Sequence, residues 1–176
     1  AVSLIGDQVA LIALRLTAVL ALDASPGQMG VLTTVALLPN LLLSLHAGAW
    51  VDRLGRQRLV MLSMDVGRGL MIATIPVAYA LGHLSWPLIY IVAFATGCLA
   101  VFFYVSYGAF FQTLVDRDDY VTANSLIHGS RAFSFLAGNS IGGVLVQLFR
   151  GPYALALDAC SFFWSAFFLG RVDTDD

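Results

Sequence analysis

The segment Gly48-Ala-Trp-Val-Asp-Arg-Leu-Gly-Arg-Gln-Arg58 joins two long apolar stretches of the chain. Its arginines are typical of a short loop at a membrane surface. Gly55 permits a tight turn, and Gly48 permits the close approach of a neighbouring helix. Asp52 is unusual, because a carboxylate near the C-terminus of a helix opposes the helix dipole. The segment therefore predicts two apolar helices joined by a charged turn, in which Asp52 needs an arginine or a helix N-terminus as its partner.

The composition extends this pattern to the whole chain. Of the 176 residues, 59% are hydrophobic and 11% are charged, and the mean hydropathy is +0.84. Soluble domains carry roughly a quarter charged residues, so a soluble domain of this composition could not cover its surface. The chain is therefore predicted to be a polytopic membrane protein in contact with the lipid bilayer. This excludes a disulfide scaffold, a nucleic-acid-binding protein with a basic face and an ordinary cytosolic enzyme.

Turn and breaker residues divide the chain into six predicted membrane-spanning helices. A membrane-embedded backbone satisfies its hydrogen bonds only in helices or closed barrels, and the alternating pattern of strands is absent. We therefore expect an all-α bundle over residues 1–170 and the start of a cytoplasmic linker over 171–176. The helices are predicted at about 1–22, 27–50, 58–80, 87–113, 121–148 and 153–170.

Arginines in the short loops predict the orientation of the bundle. Arg150 lies on one side of the membrane, and the other side holds Arg53, Arg56, Arg58, Arg117 and Arg171. Because cytoplasmic loops carry the excess of basic residues, the larger group is expected in the cytoplasm. With an even number of helices, both ends of the chain then lie on the cytoplasmic side of the plasma membrane.

Ionisable residues also fall inside the predicted helices. Charges at membrane depth are expensive unless they are paired, and they often mark a substrate or ion path. These residues therefore either hold the helices in register or line such a path, for which Arg15 is the first candidate. The set consists of Asp7, Arg15, Asp65, Arg68, Arg131 and Asp158.

Depth along the helices, counted at about 1.5 Å per residue, predicts how these charges pair. Arg15 and Asp158 share one depth, and Asp7 and Arg131 share a deeper one. Both pairs would place helix 1 against helices 5 and 6. Asp65 precedes Arg68 by three residues, so these two can pair on the surface of helix 3.

The opening segment resembles the signature of the major facilitator superfamily, Gly-x-x-x-Asp-Arg-x-Gly-Arg-[Arg/Lys]-[Arg/Lys], which lies between the second and third helices of that family. Gln57 stands where a base is usual, and the matching residues are Gly48, Asp52, Arg53, Gly55, Arg56 and Arg58. The resemblance implies a charge network that acts as a gate at the cytoplasmic face. Its members would be Asp52, Arg53 and Arg56, with Asp116 as a candidate partner.

The resemblance also implies the architecture. Each half of such a transporter consists of two inverted three-helix repeats. A faint repeat of this kind relates Gly48, Arg56 and Asp65 to Gly142, Arg150 and Asp158. The chain starts within an apolar stretch and looks cut from something longer. We therefore expect the N-terminal six-helix bundle of a transporter, with its C-terminal six-helix half absent from this chain and needed for alternating access.

Helix 5 carries small residues at four-residue spacing. Ser134, Gly138 and Gly142 form the row, with Asn139 and Gly143 beside it. Small residues let helices approach closely, so plain helix packing explains the row. The row is also similar to the exporter motif of the family, Gly-x-x-x-Gly-Pro-x-x-Gly-Gly, with Ser134 in place of the first glycine and Asn139 in place of the proline.

Short strings resemble the branch of the family that holds macrolide-efflux-type and enterobactin-exporter-type proteins. They are Gly6-Asp7-Gln8-Val9, Leu38-Pro39, Ala123-Asn124 and Leu157-Asp158-Ala159. This resemblance implies a secondary active efflux pump for amphipathic small molecules, of the drug or siderophore type. The alternatives are an importer or symporter of the same superfamily, and a six-helix channel or scaffold without alternating access.

The residues of helix 4 give information about the substrate and about the coupling ion. The resemblance implies that helix 4 lines the central cavity, where Tyr104 and Tyr107 could stack on a substrate, although such rings are more often found against lipid or in packing. Many proton-coupled drug antiporters of the family have an arginine within helix 4, and this helix has no basic residue. If protons are the coupling ion, Asp7, Asp65 or Asp158 must carry them.

No catalytic, cofactor or metal site is expected. His46, His83 and His128 show no ligand spacing, and the sequence contains neither a glycine-rich phosphate loop nor a Ser-His-Asp arrangement. The sequence therefore predicts a transporter that is not an enzyme and that has no cofactor and no nucleic-acid partner.

Overall fold

The computed structural model describes residues 2–114 and 120–169. Within these ranges the backbone forms helices joined by short turns, without a strand. The predicted all-α fold is confirmed. The helices are α1 (Val2–Leu22), α2 (Pro26–Leu54), α3 (Gln57–Ala80), α4 (Trp86–Leu114) and α5 (Tyr120–Leu169).

Helix α5 is 50 residues long, and the chain reverses direction within it. Gly138 lies against Gln8 of α1, and Asp158 lies against Gly6 of the same helix. A straight helix would hold positions 138 and 158 roughly 30 Å apart, so both cannot reach one turn of α1 unless α5 folds back. The structure therefore contains the predicted six helical segments.

The reversal lies between Val146 and Ala154, which belong to one core cluster. This stretch contains Pro152, which lacks the N–H group of a regular helical hydrogen bond. We name residues 120–148 the first arm of α5 and residues 152–169 the second arm. The sequence predicted that one helix ends at residue 148 and the next begins at 153. This prediction is wrong in one respect, because the backbone stays helical through the reversal.

Local sequence explains where α2 begins and ends. Ser25 caps its start: the Ser25 Oγ accepts a hydrogen bond from the Gln28 backbone N–H at 3.3 Å, and the Ser25 N–H donates to the Gln28 side chain at 2.9 Å. Pro26 follows, at a position where its missing N–H is not needed. Gly55 ends the helix with a φ of 61°, which is the left-handed conformation that glycine adopts without strain. The tight turn predicted at Gly55 is therefore confirmed.

Helix α1 packs against both arms of α5, as predicted for helix 1 against helices 5 and 6. Helix α2 packs mainly on α4, and α3 packs on α4 and α5. Among the described residues the contacts bury two apolar clusters: one joins α1, α2 and α4 around Leu32, and the other draws on α1, α3, α4 and α5. The members of the second cluster include Ala13, Ile72, Val92, Leu155 and Phe162.

The outside of the bundle is also apolar. On α2, Leu41 is 81% exposed and Leu45 is 84% exposed. Exposed apolar surface of this extent marks contact with lipid or with another protein surface. Within the part of the chain that the structure describes, four helical stretches have the length and composition needed to cross a membrane: Ile5–Leu22, Pro26–Leu54, Gln57–Ala80 and Trp86–Phe111.

The row of small residues on the first arm lies against α1. A Cβ atom added at Gly138 would stand 2.6 Å from the Cβ of Gln8 and 3.0 Å from the carbonyl oxygen of Ile5. At Gly142 it would stand 3.2 Å from the backbone of α1. Gly143, one position further on, has no atom within 4 Å of such a Cβ. Gly138 and Gly142 therefore set the distance between α1 and α5.

Gly48 does not play the predicted role in helix packing within the described residues. No atom lies within 4 Å of a Cβ added there. The reason is that α2 makes its close approach elsewhere, on α4. A Cβ at Gly97 of α4 would stand 2.9 Å from the Ala36 carbonyl oxygen and 3.0 Å from the ring of Pro39.

We expect the substitution Gly138→Ala to destabilise the bundle by about 1–3 kcal/mol, because the new methyl group meets the Gln8 Cβ and the Ile5 carbonyl oxygen, which cannot move unless the α1 backbone moves. Unfolding of the full-length protein in SDS, followed by circular dichroism, measures the change. The control is Gly143→Ala, which adds the same methyl group in open space on the same helix and should be neutral or slightly stabilising. Equal destabilisation by both substitutions would contradict the packing role of Gly138.

Candidate functional site

A buried arginine lies where α1, α3 and α4 meet the second arm of α5. Arg68 of α3 is 1% exposed and Asp65, on the same helix, is 0% exposed. The Arg68 guanidinium donates through Nη1 to the Asp7 carboxylate of α1 at 2.5 Å, and through Nη2 to the Asp65 carboxylate. Because Arg presents a planar fork of donors, it can hold two carboxylates at once. We call Asp7, Asp65 and Arg68 the charge cluster.

Aromatic rings enclose the guanidinium of the charge cluster. The Arg68 Cζ atom lies 4.3 Å from the centre of the Phe103 ring of α4 and 4.8 Å from that of Phe162 on the second arm. A cation over an aromatic face is attracted by the electrons of the ring, most strongly where water is excluded. The rings therefore stabilise the charge of Arg68 while they shield it from solvent.

Hydroxyl groups complete the bonding of the two carboxylates. The Ser165 hydroxyl of the second arm donates to Asp65 Oδ2 at 2.8 Å. The Tyr104 hydroxyl of α4 donates to Asp7 Oδ2 at 2.5 Å. Buried carboxylates are tolerated when such hydrogen bonds accompany the ion pair. The cluster thus ties together four helical segments that are distant in sequence.

The structure corrects the pairing predicted from depth. The prediction that Asp7 pairs with Arg131 is wrong, because Asp7 bonds Arg68 instead. Among the described residues, no ion pair joins Arg15 to Asp158. The pair of Asp65 with Arg68 on one helix is confirmed. Depth along a helix does not report which face of that helix a side chain occupies, and this is why the two predictions between helices failed.

Asp158 is a third buried carboxyl group near the charge cluster. It is 2% exposed and lies on the second arm. Its Oδ1 accepts a hydrogen bond from Ser161 at 3.3 Å, and its Oδ2 has no partner among the described residues. Asp158 also stands 3.2 Å from the position of a Cβ added at Gly6, next to Asp7. A third carboxyl group therefore lies close to the charge cluster.

Two cavities adjoin the charge cluster. The smaller, of about 300 Å³, reaches Asp7, Arg68 and Phe162. The larger, of about 570 Å³, lies between α1, α2, α4 and the first arm of α5. Tyr104 lines both, so the residue that bonds Asp7 also forms part of the wall of the larger cavity. The other residues shared by the two cavities are Gln8, Ala36, Leu37, Gly97 and Ala100.

The larger cavity has mostly apolar walls with a few polar side chains. Its described lining includes one charged residue, Arg131 of the first arm. The polar residues are Gln8, Asn40, Ser44, Tyr104 and Ser134. Apolar walls with a few polar groups that fix orientation are typical of small-molecule sites.

The two tyrosines predicted as substrate contacts differ in position. Tyr104 lines both cavities. Tyr107 is not part of the described lining of either one; its ring stacks on Phe103 at 6.3 Å between centres. Both rings lie 5.8 Å from the guanidinium of Arg131. Arg15, the predicted first candidate for a substrate path, lines neither cavity.

The predicted gate residues lie at the turn between α2 and α3. Asp52, Arg53 and Arg56 are exposed. Asp116 lies outside the described residues. Among the residues that the structure describes, no ion pair involves Asp52. The gating role of this turn therefore stays a prediction.

Several residues of the site were not singled out from the sequence. Ser161 and Ser165 follow Asp158 at helical spacing on the second arm, which places a polar stripe on one face of an otherwise apolar helix. Asn40 and Ser44 form a similar stripe on α2, four residues apart. Polar residues at such spacing inside an apolar stretch are the signal by which these positions could have been found.

The family model described as Major Facilitator Superfamily matches residues 1–175. Comparisons with curated proteins and with solved structures give no match.

Proposed function

The chain belongs to the major facilitator superfamily, a family of secondary transporters, and we propose that it forms the N-terminal half of an exporter of amphipathic small molecules that works by alternating access. One observation carries this proposal: a cavity with apolar walls and a few polar groups lies inside the bundle, next to a buried charge cluster. A second six-helix half would close the open side of this cavity.

The depth of the cavity supports a role in transport. Tyr104 precedes the end of α4 by about ten residues, and Arg131 follows the start of α5 by about eleven, so both lie roughly 15 Å from the helix ends. The hydrocarbon core of a bilayer is about 30 Å thick. The polar groups of the cavity therefore stand near the midplane, where transporters of this kind bind their substrates.

The charge cluster supports movement of the bundle as one body. It joins α1, α3, α4 and the second arm of α5 through ion pairs and hydrogen bonds. Separating these groups would leave charges unpaired at membrane depth, which is strongly unfavourable. We propose that the cluster keeps this half rigid, so that alternating access occurs by rocking between halves.

The orientation and the direction of transport are part of the proposal. The excess of arginines supports an orientation in the plasma membrane in which the turn with Asp52, Arg53 and Arg56 faces the cytoplasm. There the turn would act as the cytoplasmic gate, with Asp116 as partner. The small-residue row on α5, which is similar to the exporter motif, favours export. Import by the same architecture is the alternative, and substrate movement in vesicles of known sidedness distinguishes the two.

We further propose that export is driven by protons that reach Asp7. The Asp7 side chain is 14% exposed and lines the smaller cavity, whereas Asp65 and Asp158 are buried and do not. Asp7 faces Arg68 of α3, Tyr104 of α4 and Asp158 of the second arm. A proton on Asp7 would weaken its bond to Arg68 and so link the cavity to the charge cluster.

The test of the proposed function is flux of an amphipathic fluorescent dye through proteoliposomes that contain the full-length protein. We expect saturable flux that a pH gradient drives against the dye gradient. The chain of residues 1–176 alone should show no such flux, because one wall of the cavity is missing. Non-saturable leakage in both directions would support the channel instead. Robust driven flux through the chain alone would overturn the proposal that this chain is one half of the transporter.

A further inference from the structure

Arg131 contributes a positive charge to the larger cavity. It is exposed, and it is the one charged residue in the described lining of that cavity. Its position, roughly 15 Å from the start of α5, places it well inside the membrane. A cation at this depth is unfavourable unless an anion or water faces it.

No anionic side chain among the described residues neutralises Arg131. Its guanidinium takes part in none of their ion pairs. The Arg131 guanidinium lies 5.8 Å from the rings of Tyr104 and Tyr107, and these contacts do not use its N–H donors. Because a guanidinium has five such donors in one plane, an incoming group with two acceptor oxygens could bind them side by side.

Asp7 bonds Tyr104, whose ring faces Arg131, but both carboxylate oxygens of Asp7 are already engaged. One accepts from Arg68 and the other accepts from the Tyr104 hydroxyl. Tyr104 thus connects the two charged groups: its hydroxyl bonds Asp7 while its ring faces Arg131. The larger cavity consequently presents a positive charge beside apolar walls, with no negative side chain in its described lining.

From this arrangement we infer the substrate class: the larger cavity binds an amphipathic organic anion, whose carboxylate or sulfonate group pairs with Arg131. The apolar body of the anion would lie against walls formed by Leu37, Val101 and Phe135, and Asn40 and Ser44 would contact its polar atoms. Charge-assisted pairs between a guanidinium and two anionic oxygens are among the strongest side-chain interactions. This inference rests on the proposed transport function and adds to it that the substrate is negatively charged.

The test uses three probes with one ring system and different charge: pyrenesulfonate, pyrenemethanol and pyrenylmethyl-trimethylammonium. Their binding to the purified full-length protein in neutral detergent is measured by fluorescence. We expect the sulfonate to bind most tightly and Arg131→Gln to weaken its binding by about 10- to 100-fold, the range of a charged hydrogen-bonded contact. Binding of pyrenemethanol should change little. Arg131→Glu should reverse the order of the sulfonate and the ammonium.

The matched control is Arg15→Gln, which removes the same charge from a residue that lines neither cavity. It should leave the ratio of sulfonate to ammonium affinity unchanged. The inference is overturned if the ammonium probe binds wild-type protein as tightly as the sulfonate, or if Arg131→Gln and Arg15→Gln change the ratio equally. If neutral or cationic dyes show driven flux and the sulfonate does not bind, the proposed transport function stands and the inference of an anionic substrate is rejected. Absence of flux for every dye would reject the transport function itself.

Discussion

Replacement of Arg68 by glutamine is expected to destabilise the bundle by about 3–5 kcal/mol, because it leaves two carboxylates without their cation in a buried site. Asp7 and Asp65 both bond the same guanidinium, and Asp65 is fully buried. The yield of monodisperse full-length protein and its resistance to unfolding in SDS should both fall sharply. Arg68→Lys should rescue little, because an ammonium is not a planar fork that can bond two carboxylates and lie between two rings.

The control removes the whole charge cluster rather than one member. In the triple variant Asp7→Asn, Asp65→Asn, Arg68→Gln, none of the three residues of the charge cluster carries a charge, so most of the lost stability should return. This comparison separates electrostatic repulsion from the loss of packing against Phe103 and Phe162. If the triple variant is as unstable as Arg68→Gln alone, the ion pairs are not what holds α1 to α3.

Replacement of Asp7 by asparagine is expected to abolish proton-driven accumulation while substrate binding is retained. For one proton per substrate, a pH difference of one unit supports roughly tenfold accumulation of the substrate. Asparagine cannot exchange a proton, so the accumulation ratio in proteoliposomes should fall to near one. Exchange of labelled for unlabelled substrate, which needs no net proton movement, should persist.

Asp23→Asn is the matched control for this loss. Asp23 lies in the turn between α1 and α2 with a φ of 47°, a conformation that asparagine also tolerates, and it lines neither cavity. Accumulation by this variant should equal that of the wild-type protein. Full accumulation by Asp7→Asn would show that another group carries the proton, and Asp158→Asn would be the next variant to measure.

The helical architecture was largely predictable from the sequence, because hydrophobic length and breaker residues report membrane crossings directly. The breaker signal was less reliable at Pro152, where the chain reverses as predicted while its backbone stays helical. A proline marks a site where the regular hydrogen bond is lost, and it does not report how the neighbouring residues compensate.

The charge cluster was predicted only in part. Spacing along one helix correctly paired Asp65 with Arg68, since residues three apart lie on the same face. The partner of Asp7 depended on how α1 is rotated about its axis relative to α3. Counting residues from the helix ends gives the depth of a side chain and not this rotation. Tyr104 was predicted as a possible substrate contact, and the structure shows it also as the hydrogen-bond donor to Asp7.

Packing at the glycines shows the same limit. Gly138 and Gly48 both look like sites of close helix approach, yet only Gly138 has a neighbour within 4 Å among the described residues. The difference lies in which face of each helix meets another helix. Sequence reports that an approach is permitted at a glycine, and the tertiary arrangement decides whether it occurs.

The central claim is that the larger cavity opens to the two sides of the membrane in turn, and thiol modification tests it most directly. After Cys98 and Cys160, both free, are replaced by serine in the full-length protein, Ala100→Cys places one thiol in both cavities. Ile91→Cys, 63% exposed on α4 but outside both cavities, is the control and should react poorly. A membrane-impermeant reagent should modify residue 100 from either side, and substrate should raise the rate from one side while lowering it from the other. Modification from one side only under every condition, or equal rates that substrate does not change, would contradict alternating access.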